Sequence, residues 1–177
     1  MRVITGSARG RKLKEPSGME IRPTTDQVKE AIFNIVQFDV EGRRVLDLFG
    51  GTGQLGIEAK SRGAAEVDIV DQSREAVKLI RENMRLTGLD IRVLQTESIG
   101  FLQTCGTYDL IFLDPPYDSD LAENALKCIK LFDKLSIGGI ILCETRAEKT
   151  LPAVEPPYRM LREYRYGRVK LTTYTKD

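Results

Sequence analysis

Short apolar runs and amphipathic stretches alternate along most of the chain. Arg43-Arg44-Val45-Leu46-Asp47-Leu48-Phe49, Val67-Asp68-Ile69-Val70, Ile91-Arg92-Val93-Leu94, Leu110-Ile111-Phe112-Leu113 and Ile140-Ile141-Leu142 each read as a strand. Between them the hydrophobic period becomes helical. Ser73–Thr87 sets Val77, Ile80 and Met84 on one face, and Ser119–Asp133 does the same with Ala122, Ala125, Leu126 and Ile129. Ahead of the first strand, Val28, Ala31, Ile32, Ile35 and Val36 recur at helical spacing, with Thr24 and Gln27 as a capping box. Strands separated by helices predict parallel pairing and a doubly wound α/β sheet covered on both faces. After Gly139 the pattern changes. Tyr158–Tyr166 and Arg168–Thr175 read as two strands turning at Gly167, a terminal antiparallel hairpin that brings the mostly parallel sheet to seven strands. Val3-Ile4-Thr5, a Gly-bearing turn and Arg11-Lys12-Leu13 predict a small β appendage at the amino end. No repeat or low-complexity linker intervenes, so one domain is expected, with the appendage in residues 1–22 and the core in 23–177.

Composition narrows the class. A chain of 177 residues, 41% hydrophobic, buries a core without staples. No apolar run approaches the ~20 residues of a membrane span. Cys105, Cys128 and Cys143 are widely spaced and contain no CxxC, which supports neither a zinc site nor a disulfide framework; a reducing cytoplasm is the expected home. The chain has no histidine. Hydrolases with a His base, His-ligated metalloenzymes and His acid–base catalysis are thereby excluded.

The net charge of +1 hides an uneven distribution. Met1 to Lys14 carries Arg2, Arg9, Arg11, Lys12 and Lys14 and no acid, while Arg159, Arg162, Arg165, Arg168 and Lys170 face only Glu163. Such clusters either bind phosphate through counterion release or are solvated ends. Because domain termini often lie close, the two could merge into one patch.

Two motifs carry chemistry. The first is Asp47-Leu48-Phe49-Gly50-Gly51-Thr52-Gly53-Gln54-Leu55-Gly56, a Gly-rich turn from strand to helix whose backbone can approach a ligand closely. Asp71, at the end of the next strand, suits the two ribose hydroxyls of an adenosine-containing cofactor, or simply caps the following helix. Asp47 separates the candidate cofactors. A carboxylate there repels a pyrophosphate but attracts the sulfonium and ammonium of S-adenosylmethionine. The second motif is Asp114-Pro115-Pro116-Tyr117, directly after an apolar strand, where open α/β sheets place ligands. The Asp114 carboxylate and the Pro115 carbonyl would each accept a hydrogen from a planar amine. Pro116 stiffens the turn, and Tyr117 would stack on the ring.

These motifs resemble those of class I S-adenosylmethionine-dependent methyltransferases acting on exocyclic base amines. Arg9-Gly10-Arg11-Lys12-Leu13, Arg22-Pro23-Thr24-Thr25-Asp26, Gly56-Ile57-Glu58-Ala59, Ser61-Arg62-Gly63-Ala64 and Tyr166-Gly167 extend the likeness over nearly the whole chain to the RsmD family, bacterial 16S ribosomal RNA guanine-N2 methyltransferases. The family's usual Ala-Gly-Ser-Gly loop is Gly50-Gly51-Thr52-Gly53 here. The resemblance implies an adenine contact at Glu97 and Ser98, although Glu97 equally suits a helix start. It sets Arg22 and Thr24 near the cofactor's methionine end or the substrate entrance, where they also suit a helix cap. It implies S-adenosylmethionine as cofactor, no metal, and a monomeric enzyme acting on ribosomal RNA or a small-subunit particle, with Arg9, Arg11, Lys12 and Arg22 toward the RNA. The target base must leave its stack to react. Adenine-N6 DNA methylation, nicotinamide-dependent oxidoreduction and an inactive RNA-binding assembly factor are the alternatives.

Overall fold

A computed structural model describes residues 1–16 and 25–177. The helix α1 (Asp26–Ile35) leads into β1 (Arg44–Asp47), α2 (Gln54–Ser61), β2 (Glu66–Asp71), α3 (Arg74–Thr87) and β3 (Arg92–Gln95). Then come α4 (Ser98–Thr104), β4 (Tyr108–Leu113), α5 (Leu121–Leu131), β5 (Leu135–Arg146), β6 (Tyr158–Tyr166) and β7 (Val169–Lys176). One seven-stranded sheet runs β3-β2-β1-β4-β5-β7-β6, parallel from β3 to β5 and antiparallel where β7 and β6 join it. The chain winds outward from β1 to β3 and returns to the other side of β1 at β4. That reversal opens a crevice at the carboxyl ends of β1 and β4.

Each face of the sheet carries its own core. Ile32 and Phe33 of α1, Ile57 of α2 and Ile80 of α3 pack on one face; Leu102 of α4 and Ala125, Leu126 and Ile129 of α5 pack on the other. Leu110, Ile111, Phe112 and Leu113 are all fully buried, as expected for a central strand covered on both faces. The expected α/β architecture with its terminal hairpin is therefore observed, the hairpin turning at Gly167 with φ of +60°.

The amino end meets expectation in reduced form. The expected β appendage is present in minimal form: an antiparallel bridge joins Arg2 to Lys12 across a run of turns, with the Val3 amide donating to the Arg11 carbonyl at 2.9 Å and the Leu13 amide to the Met1 carbonyl at 3.1 Å. Val3, Ala8 and Leu13 are buried in the main core. The amides of Ile4 and Thr5 donate to the carboxylate of Glu58 on α2, at 2.8 and 2.9 Å, and so have no need of a partner strand. The cap of α1 also shifts by one. Thr25, not Thr24, is the N-cap, its hydroxyl accepting from the Val28 amide at 3.3 Å. Thr24 and Arg22 lie outside the described residues. Among the described residues no helix is long and apolar enough to cross a membrane.

Candidate active site

A cavity of about 540 Å³ fills the crevice at the carboxyl ends of β1, β2 and β4. Asp47, Phe49, Gly50 and Gly51 reach it from the first motif, Asp71 from the end of β2, and Glu97 with Ser98 from the start of α4. Asp114, Pro115, Pro116 and Tyr117 complete the opposite wall. The two motifs, remote in sequence, thus share one chamber. Gly53 stands just behind the wall as the N-cap of α2, with φ of +79° in the left-handed region that favours glycine.

The loop's amides are turned inward. Gly50 donates to the Val70 carbonyl at 2.8 Å, Gly51 to the Asp71 carboxylate at 2.9 Å, Gly53 to the Gly50 carbonyl at 2.7 Å and Gly56 to the Asp47 carboxylate at 3.0 Å. Four amides that would cradle a pyrophosphate are already engaged, two of them by carboxylates. That disfavours a dinucleotide. Gly50 and Gly56 serve packing as well: a Cβ on either would come within 2.4–2.5 Å of the Ile69 side chain.

Asp47 is 1% exposed, and its second oxygen, Oδ1, is buried without a hydrogen-bond partner. Burial pushes its carboxyl up to about 8; the Gly56 amide works against this, and the neighbouring charges of Asp114 and Asp71 add to it. A buried acceptor of this kind, in a wall that also carries Asp71 and Asp114, is complementary to a cation.

Asp71 does more than await a ligand. One of its oxygens holds Gly51 and the other accepts from the Ser73 amide at 2.8 Å, while Ser73 caps α3. Each oxygen retains a second lone pair for a hydroxyl donor. Glu97 is the N-cap of α4, accepting from Ile99 at 2.8 Å, Gly100 at 2.7 Å and the Ser98 hydroxyl at 3.2 Å. The backbone bond from Ile99, foremost, holds its carboxyl below the usual range. Its helix-start role is therefore realised at a position that also lines the cavity.

Tyr117 is fixed from β5. Its hydroxyl donates to Oε1 of Glu144 at 2.5 Å, and the guanidinium of Arg146 lies 5.7 Å from its ring centre while pairing with Asp118 at 3.0 Å. The turn is further tied by the Ser119 hydroxyl, which donates to the Pro116 carbonyl at 2.6 Å. Glu144, Arg146 and Thr25 also line the cavity, and sequence reasoning missed all three for this role. An acid embedded in an apolar strand is the one signal that could have exposed Glu144, since a buried carboxylate demands a partner. Arg9, Arg11 and Lys12 are exposed and do not line the cavity.

The family described as "Conserved hypothetical protein 95" matches residues 1–175. A 33% identity links the chain to the Escherichia coli protein named ribosomal RNA small subunit methyltransferase D, covering 100% of this chain and 90% of that one. The chain belongs to the RsmD family. The family's YlbH from Bacillus subtilis is 37% identical over 99% of both chains. A solved structure from Escherichia coli superposes with a TM-score of 0.90 at 31% identity, covering 100% of this chain and 98% of the other. The class I methyltransferase fold of this family member follows from both likenesses, and the family's enzymes are ribosomal RNA methyltransferases.

Proposed function

We propose that the protein transfers a methyl group from S-adenosylmethionine to an exocyclic amine of ribosomal RNA, with guanine N2 of the small subunit as target. The observation that carries this reading is the convergence of the Asp47 loop and Asp114-Pro115-Pro116-Tyr117 on one cavity. Family membership supports the RNA substrate and the cytoplasm, where ribosomal subunits are made, as the place of action.

The cofactor supplies an electrophilic methyl on a cationic sulfonium. Asp47 offers the buried Oδ1 to positive charge, and Asp71 offers its remaining lone pairs to ribose hydroxyls. Phe49, Gly50 and Gly51 shape the floor beneath, with Gly53 turning the chain behind them, while Glu97 and Ser98 close the adenine side. On the opposite wall, the Asp114 carboxylate and the Pro115 carbonyl each accept one amine hydrogen, which draws the nitrogen lone pair out of conjugation and aims it. Pro116 holds the turn and Tyr117 supplies a stacking face. As the N–C bond forms the methyl's bond to sulfur would break, the positive charge passing from sulfur to nitrogen and leaving as a proton to solvent after transfer, so alignment carries much of the rate and no histidine is required. The target base enters unstacked. Arg9, Arg11 and Lys12, which lie outside the cavity, contact RNA in this reading, as does Arg22, and the enzyme acts as a monomer.

The test is mass spectrometry of nucleosides from small ribosomal subunits, isolated from cells lacking the enzyme and incubated with it and labelled cofactor. Label in N2-methylguanosine is the expected result. Label in N6-methyladenosine, or none in RNA, overturns the assignment.

A further inference from the structure

The two basic clusters sit on different parts of the molecule. Arg9 belongs to the turn fastened to the far end of α2, where the Ser7 and Ala8 amides bond to Ser61 at 2.8 and 2.9 Å. That places it the length of α2, about 12 Å, from the Gly-rich loop. The carboxyl-terminal cluster is on the β6–β7 hairpin, whose β6 is at the opposite edge of the sheet from β3. Four strand spacings, roughly 19 Å, separate β6 from β1, so the clusters do not merge.

The hairpin reaches the cavity directly. Val169 lines it and pairs with Arg146, and the Arg168 carbonyl accepts from the Ala147 amide at 2.9 Å. Arg168 therefore lies at the hairpin tip opposite Ala147, one residue beyond Arg146, whose guanidinium faces Tyr117. From this tip Arg165 and Arg162 continue outward along the exposed edge strand, about 10 Å apart. Neither these two nor Arg168 forms an ion pair among the described residues; Arg162 lies 5.8 Å from the Tyr164 ring centre instead. The one acid of β6, Glu163, is neutralised by the buried Lys170 at 3.2 Å. Arg162 and Arg165, three residues apart in a regularly paired stretch of β6, project from opposite faces of the sheet, so the three exposed guanidiniums unclaimed by carboxylates straddle the open edge of the hairpin, from its tip at the cavity mouth outward.

We infer that Arg168, Arg165 and Arg162 form the rail that grips the RNA phosphate backbone beside the reacting base, leading the strand over Arg146 into the cavity. The inference rests on the RNA reading above. Guanidiniums suit it because their planar forks bind phosphate bidentately and remain charged.

The decisive comparison sets the triple variant Arg162→Gln, Arg165→Gln, Arg168→Gln against Arg9→Gln, Arg11→Gln, Lys12→Gln. Small subunits from cells lacking the enzyme serve as substrate, and protein-free 16S RNA as the binding probe. The hairpin variant is expected to raise KM for subunits at least tenfold with kcat little changed. It should also flatten the slope of log affinity for the RNA against log salt by about 2. The amino-terminal variant should have the smaller effect on KM. S-adenosylhomocysteine binding and melting temperature should hold in both. The single charge reversal Arg168→Glu, at an exposed turn, guards against misfolding and should by itself raise KM severalfold. Unchanged KM and slope in a wild type that methylates RNA overturn the rail alone. A variant that binds protein-free RNA normally but loses intact subunits assigns the hairpin to a ribosomal protein, which also overturns it. A wild type that neither binds nor methylates RNA removes the reading underneath, and the rail with it.

Discussion

Two aspartates buried on neighbouring strands behave in opposite ways. Asp68 on β2, 5% exposed, receives Nε and Nη2 of Arg92 at 2.8 and 2.6 Å and the Tyr108 hydroxyl at 2.5 Å. Burial raises its carboxyl, but the bonds from Arg92 and Tyr108, with the charges of Arg92 and Arg44, more than reverse this and leave it below the usual range. Asp47 on β1 has one amide and one unpartnered oxygen, and is raised to about 8. The same residue type at similar depth is completed by the fold in one place and left incomplete in the other. A closed set of partners marks a structural ion pair. An open one, in a cavity, is what the proposed cofactor site rests on.

The contrast can be broken by mutation, and the largest effect belongs to the open end of the sheet. Asp114→Ala should cost about 10²-fold or more in single-turnover methylation, with Asp114→Asn between it and wild type because it keeps an acceptor. Cofactor affinity should survive both. Equal rates in all three folded proteins would make Asp114 a mere turn residue.

Asp68→Ala should instead act on folding. Losing charge-assisted bonds from Arg92 and Tyr108 should cost about 2 kcal/mol, visible as a fall of roughly 4–8 °C in melting temperature, with activity per folded molecule preserved. Asp47→Asn should do the reverse: melting temperature maintained or raised, and S-adenosylhomocysteine affinity reduced about tenfold by calorimetry. Loss of stability without loss of affinity would show that the two aspartates do not differ in kind.

Acidity sharpens the same comparison. With Asp47 raised, the native state holds a proton that the unfolded chain releases near its ordinary carboxylate pKa. Between about pH 4 and 8, stability without ligand should therefore fall as pH rises. The ligand's ammonium group favours the ionised form, so S-adenosylhomocysteine affinity should climb with pH, with proton release, and level off above about 8. Asp47→Asn should flatten both trends. The smallest expected effect concerns the ring on the far wall. Tyr117→Phe and Glu144→Ala should each slow methylation by less than about tenfold. The double variant should be no worse than either alone, because both remove one bond. Additive losses would mean that the two side chains act separately.

Local pattern made the central strands legible because residues covered on both faces must be apolar in unbroken runs, as Leu110 to Leu113 are. It made the loop and Asp114-Pro115-Pro116-Tyr117 legible because glycines and prolines at set spacing constrain backbone that a ligand must approach. It found the pairing of the two amino-terminal segments but not its extent: the ladder stops at one bridge because the next amides, Ile4 and Thr5, go to Glu58, distant in sequence. It placed the cap of α1 one residue early because adjacent threonines are equivalent until the helix chooses one.

The sequence by itself determined the order of strands and helices, the absence of any histidine chemistry and the two motifs. These follow from side-chain type and near-neighbour spacing. Only the tertiary structure decided which carboxylate is left open. Asp47 and Asp68 both sit in apolar runs, and their difference depends on Arg92 and Tyr108 being brought to one of them. Pairing of Leu113 with Cys143 across β4 and β5 likewise carries the following residues, Glu144 and the turn bearing Tyr117, into reach of each other. Bonds between residues distant in the chain are set by strand register and packing, which local periodicity does not encode.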